Sequence, residues 1–202
     1  SVEGAVSRAP DVADVAGGVV TMAPTAAAAM ADNALAMNRV IAAIRKAGIA
    51  ERDIQTRGIS LQPQYKYENN QPPVLTGYQA SNTVSLRLRR LGDAGRLLDT
   101  LVGAGVNQID GPNFRLEDDA AALDEARVAA MKKARARAEL YAAAAGLSVK
   151  RIQSISESGG EVPSPRPLQM TMRAAAADAA PTPVAPGELT LRINLAVTFE
   201  LQ

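Results

Sequence analysis

Apolar residues recur along this chain with two spacings, every second position and every third to fourth, and these divide it into strands and helices. The plainest alternation lies in 188–201, where Leu189, Leu191, Ile193, Leu195, Val197 and Phe199 take every second place. It predicts a strand at the centre of a sheet. Over 77–89, Val84, Leu86 and Leu88 alternate with Ser85, Arg87 and Arg89, a strand with one face in solvent. Its partner is read at 53–66, where Ile54, Thr56, Ile59 and Leu61 are interrupted by Gly58, a bulge position, with the strand ending near Pro63. Between them, 67–76 reads YENNQPPVLT, polar and proline-containing, the tip of a long hairpin. At the other end, 2–9 and 12–22 read as two strands that Pro10 and Asp11 turn into a hairpin or a bent pair. Further strands are expected at 107–116 and 148–156.

The helical period is longest in 119–146, which has no proline and no glycine before Gly146. Leu123, Ala126, Ala130, Ala134, Ala138, Tyr141 and Ala145 form one stripe, opposed by Asp124, Glu125, Lys132, Arg135 and Glu139. A rod of about 40 Å with a nearly flat alanine face suits a helix lying close on a sheet. A second long helix is opened by Pro24, has Thr25 in its first turn and runs to Ala47; Leu35, Met37, Val40, Ile41 and Ile44 supply its apolar face. A short helix is expected over 92–102. Gly48, Gly105 and Gly146, each followed by an apolar residue (Ile49, Val106, Leu147), fit left-handed helix caps that fold each helix back onto the next strand. The fold class is therefore α+β: a mixed or antiparallel β-sheet with one short and two long helices packed on it, as a single domain over 1–202. The stretch 159–187 holds half of the prolines and reads as a long extended loop inserted before the last strand.

Composition changes this picture mainly by exclusion. The chain has 202 residues, 47% of them apolar, enough for a substantial core. A net charge of +1 and 3% aromatic residues leave neither the field nor the stacking surfaces expected of a nucleic-acid binder. Histidine and cysteine are both absent, which removes Ser-His-Asp and Cys-His catalysis, disulfides and zinc sites of the usual nitrogen and sulfur type. No apolar run approaches the roughly 20 residues of a membrane-spanning helix. The abrupt start at Ser1, within a strand pattern, is the start expected after removal of an N-terminal segment such as a signal peptide.

Several clusters invite a functional reading. Glu117, Asp118 and Asp119 offer oxygen ligands to a hard cation but lack a glycine-centred ligand loop, and helix-start acids are the favoured reading. Lys132, Lys133, Arg135 and Arg137 are consecutive enough to point in different directions, which favours a solvated helix face over a phosphate patch. Met170 and Met172 are too few for a soft-metal site. Neither a phosphate-binding loop nor a dinucleotide fingerprint is present. No catalytic, cofactor-binding or metal-ligating residue is assigned. Tyr65, Tyr67 and Tyr78, which flank the hairpin tip, are either interface anchors or local packing. Together with Pro163, Pro165, Pro167, Met170 and Met172 of the proline-rich stretch they form the candidate contact surface between subunits.

The segments VEGAVSRAPDVADVAGGVV, AGIAERDIQTRGISLQPQYKY, GYQASNTVSLRLR, GAGVNQIDGPNF and PVAPGELTLRINLAVTFEL, with the Glu-Ala-Arg of 125–127, together resemble the SIMPL domain family, which includes YggE-like periplasmic proteins and bacterial antigens. The resemblance spans essentially the whole chain. It implies an α+β fold, export to the periplasm through a cleaved signal peptide, outer-membrane association in some cases, ring- or channel-like oligomers in some members, and a link to oxidative stress tolerance. It brings no catalytic residues and no cofactor. The expected function is a non-catalytic exported protein that self-associates into a symmetric assembly. The alternative is a monomeric or dimeric binding or adaptor module for an envelope protein or a small molecule.

Overall fold

The computed structural model describes residues 1–68, 71–160, 164–166 and 182–202. In chain order these form β1 (Val2–Arg8), β2 (Val12–Ala23), α1 (Ala26–Lys46), β3 (Ile54–Lys66), β4 (Val74–Leu88), α2 (Ala94–Gly103), β5 (Gln108–Arg115), α3 (Ala120–Ala144), β6 (Val149–Gly160), β7 (Ser164–Arg166) and β8 (Glu188–Leu201). The class is α+β, as the patterning predicts. The strands divide between two antiparallel sheets in two compact units, where the sequence suggested one layer.

In the first unit the order is β1-β8-β6, with β7 also paired to β8, so the closing strand is central as its alternation predicts. Leu189, Leu191, Ile193 and Leu195 are buried. The helix α3 lies on β1 and β8, and Ala126, Ala130 and Ala134 pack with Val2, Ile193 and Leu195. The approach is very close at Gly4. A Cβ there would overlap the carbonyl oxygen of Ala126 and stand 2.9 Å from the Ala130 methyl. Small residues on both surfaces allow that spacing. Of the predicted stripe, Ala126, Ala130 and Ala134 are buried and Leu123 partly so, but Tyr141 is 63% exposed, at a shallow groove of about 160 Å³ that Val2, Leu195 and Phe199 also line.

The second unit has the order β3-β4-β2-β5. Its helix α1 packs on β2 and β4, and α2 adds Leu97 and Leu101 to a core containing Val15, Val19, Val40, Ile44, Val84 and Leu86. Each such side chain fully buried contributes about 1.5–3 kcal/mol. Thr25 stands one position before the helix and caps it, its hydroxyl oxygen accepting from the Ala28 N–H at 3.2 Å. The buried face of α1 carries Ala29, Asn33, Ala36, Met37, Val40 and Ile44, while Leu35 is 64% exposed. Asn33 replaces Leu35 as the inward residue. Its Nδ2 donates to the carbonyls of Val19 (2.8 Å) and Ala80 (3.1 Å), fastening the helix to two adjacent strands.

All three glycine caps form. Gly48, Gly105 and Gly146 have φ of 86°, 103° and 72°, and the N–H groups of Ile49, Val106 and Leu147 donate back to Ile44, Leu101 and Ala142. Four expectations change. The strands β1 and β2 are not a hairpin: β1 pairs with β8 over seven consecutive residues, and β2 pairs with β4. The helices do not fold back onto the strands that follow them, β3 after α1 and β6 after α3: α1 packs chiefly on the central strands β2 and β4, and α3 on β1 and the central β8. The strand β3 continues past Pro63 to Lys66, because an edge strand tolerates a missing N–H. Finally, part of the stretch read as loop is ordered in the sheet: β6 reaches Gly160, and Ser164–Arg166 pairs with β8. Pro163, Pro167, Met170 and Met172 lie outside the described residues.

Candidate functional site

The second unit carries two features that its own packing does not use. The first is the flank formed by β3 with the outer part of β4. Register places Ile59 opposite Asn82, Leu61 opposite Ala80 and Pro63 opposite Tyr78. Asn82 in turn lies opposite Val19 on β2. Opposed residues share a face, so Ile59, Leu61 and Pro63 lie on the same side of the sheet as buried Val19, Ala80 and Val84. The helix α1 covers that side over β2 and β4 but leaves β3 largely open. Ile59 is 59% exposed, with Leu61, Tyr65 and Leu75 also exposed. From Gly58 through Tyr65 there is no charged residue, although Arg57 and Lys66 stand at either end. A core face thus continues past its helical cover as an apolar, uncharged shelf.

Two devices shape this shelf. The register shifts between Thr56 and Gly58, the bulge that the sequence suggests, and again between Gln64 and Tyr65. Pro63 also sits on the outer edge, where β3 has no second strand partner among the described residues. Both discourage indiscriminate edge-to-edge strand pairing while leaving the apolar face presented. Of the predicted contact residues, Tyr65 and the half-buried Tyr78 come together beside Pro63, and Tyr67 stands 77% exposed just beyond β3. Pro165 falls in β7, in the other unit.

The second feature is a cleft of about 530 Å³ where the end of α1, the turn 51–53, the end of β4 and the start of α2 converge. Its lining contains Arg52, Arg87, Arg89, Arg90 and Arg96 against Asp53 and Asp93. The carboxylates are shared. Asp53, with a side chain 5% exposed, accepts from Arg89 Nε at 3.0 Å and Nη2 at 3.1 Å and lies 4.0 Å from Arg52. Hydrogen bonding to the Arg89 guanidinium holds the Asp53 carboxyl below its ordinary value, against the opposing effect of burial. Asp93 binds Arg90 at 2.9 Å and also pairs with Arg96. Asp14, 3.5 Å from Arg87, borders an adjoining smaller hollow. Ile49, Leu88 and Leu97 supply apolar wall.

The other clusters disperse. Asp118 accepts from the Ala120 N–H at 3.0 Å and so caps the start of α3, as a helix-start acid does. Lys133 donates to the Glu3 carbonyl, Arg135 pairs with Glu139 at 2.9 Å, and Arg137 donates to the Ser1 carbonyl. No group of three or more acidic side chains that would hold a metal ion occurs among the described residues. No helix among them is long and apolar enough to cross a membrane. Sequence reasoning missed both Asn33 and the arginine cleft. The signal for the cleft was RLRRLGDAGR at 87–96, four arginines in ten residues.

Known proteins place the chain more sharply than its chemistry does. The profile of SIMPL, protein of unknown function (DUF541), matches residues 1–199. The chain is 38% identical over 208 residues to the 26 kDa periplasmic immunogenic protein of Brucella melitensis, covering 99% of this chain and 82% of that protein. The protein of the same name from Brucella abortus matches equally. The uncharacterized protein YggE of Escherichia coli K12 is 33% identical over 129 residues, 64% of this chain and 52% of its own length. This chain belongs to the SIMPL family.

Proposed function

We propose that this chain is a non-catalytic exported protein that works by associating with copies of itself, the shelf of β3 and β4 forming the contact. The observation that supports this reading best is that Ile59, Leu61, Tyr65 and Leu75 extend the apolar side of a sheet beyond the helix that covers it. A second copy is the occupant that fits. Two such shelves meeting about a two-fold axis bury apolar residues on both sides and bring no charge into the centre, since residues 58–65 carry none. A second, different contact joining such dimers would close a symmetric, ring- or channel-like assembly serving envelope or oxidative stress tolerance. The periplasm is the proposed location, in line with the names of the Brucella relatives.

Sedimentation velocity tests this reading. The intact chain should sediment as an assembly, and the double variant Ile59→Glu, Leu61→Glu, which sets carboxylates on the shelf without touching the covered core, should sediment as a smaller species with unchanged circular dichroism. A wild-type chain that sediments as a monomer in concentrated solution, or a variant of unchanged mass, overturns the proposal.

A further inference from the structure

We infer that the arginine cleft of the second unit is a binding site for a small organic dianion, a phosphate monoester or a dicarboxylate with an apolar body. Five arginines line it with two aspartates; Arg89 is matched by Asp53 and Arg87 by Asp14, which leaves Arg52, Arg90 and Arg96 facing Asp93, a formal excess of two positive charges. Each carboxylate already serves more than one guanidinium: Asp53 serves Arg89 and Arg52, and Asp93 serves Arg90 and Arg96. The internal pairs therefore leave cationic capacity, and they orient it. Asp93 holds both Arg90 and Arg96, whose side chains remain 74% and 72% exposed; that of Arg52, also in the lining, is 77% exposed.

Guanidinium groups present paired donors that match carboxylate and phosphate oxygens, and pre-positioning by a shared aspartate lowers the entropy lost on binding. The volume of about 530 Å³ is within the usual range for small-molecule sites and larger than a bare inorganic anion needs. Ile49, Leu88 and Leu97 offer the remainder of the ligand an apolar wall. The site is separate from the β3 shelf and does not depend on self-association. Two neighbouring charges are already neutralised: Arg45 lies 2.6 Å from Glu51, outside the lining.

The probes are phenyl phosphate, phthalate and inorganic phosphate, titrated calorimetrically into the full chain at low and moderate salt. One saturable site is expected, with phenyl phosphate or phthalate bound at least tenfold more tightly than inorganic phosphate and all binding weakened by salt. The preferred organic probe identifies the head group. Arg90→Gln with Arg96→Gln, and independently Arg52→Gln, should each weaken the organic probe at least tenfold at unchanged thermal midpoint. The control Arg135→Gln, on α3 in the other unit, should leave it unchanged. Absence of saturable binding, equal affinity for all three probes, or equal loss in the Arg135 control overturns the inference.

Discussion

Replacing Gly4 by alanine tests the close seat of α3 on β1. The added methyl would overlap the Ala126 carbonyl oxygen and lie 2.9 Å from both the Ala126 carbonyl carbon and the Ala130 Cβ. Two of these atoms are backbone inside a regular helix, so no side chain can rotate away. The helix must retreat by more than an ångström or the strand must bend. Overpacking of this kind costs about 1–3 kcal/mol, and backbone obstruction places Gly4→Ala at the upper end. Removing a glycine from a strand returns roughly 0.5–1 kcal/mol of chain entropy, leaving a net loss of about 2 kcal/mol. For a unit of this size that lowers the thermal midpoint by roughly 10 °C. Gly17→Ala is the control: its methyl would meet Val106 at 3.6 Å and Leu101 at 3.7 Å, ordinary contacts, and its stability should stay within about 0.5 kcal/mol of wild type. Urea titrations followed by circular dichroism, with hydrogen exchange locating the loss in α3, make the comparison. If the Gly4 and Gly17 variants melt alike, the close helix–sheet contact is refuted.

Other substitutions probe the remaining joints. Asn33→Ala removes two buried donations to Val19 and Ala80 and should cost about 2 kcal/mol in urea titrations. Asn33→Asp sets an acceptor-only carboxylate against the same carbonyls; it should be weaker still at neutral pH and recover in acid as the carboxyl takes a proton. The depressed Asp53 carboxyl contributes stability fully above its unfolded value near 3.8, and this is lost as pH falls through the lower folded value. Asp53→Asn should therefore be less stable at neutral pH and show a flatter acid limb in pH-dependent melts. Gly105→Ala, at φ 103° with open space around the methyl, should lose about 1 kcal/mol through backbone strain alone.

What was legible in the sequence was local. The alternation of β8, the three glycine caps and the Gly58 bulge each depend on residues within a few positions of one another, and all appear as expected. Pairings through space were not legible. The partner of β1 lies more than 180 residues away in β8, and nothing in Pro10-Asp11 distinguishes a hairpin turn from a passage between sheets. Apolarity points to Leu35 as an inward residue, whereas the helix selects by azimuth and the Asn33 amide that faces inward is satisfied by strand carbonyls. Of the tyrosines flanking the tip, Tyr65 and Tyr67 are exposed and Tyr78 is half-buried, a difference that residue type does not show. That Ile59 and Leu61 continue a core face required the register of three strands. The cleft assembles from 47–53, 87–90 and 93–100, so its charge excess is not visible in any single window.

Whether copies meet on the β3 shelf is read from deuterium uptake of peptides covering Ile54–Lys66, compared between dilute and concentrated solution. Uptake in this strand should slow on concentration, with peptides from covered β2 unchanged. Uptake in β3 that is independent of concentration, in a sample whose mass shows an assembly, would contradict contact at the shelf.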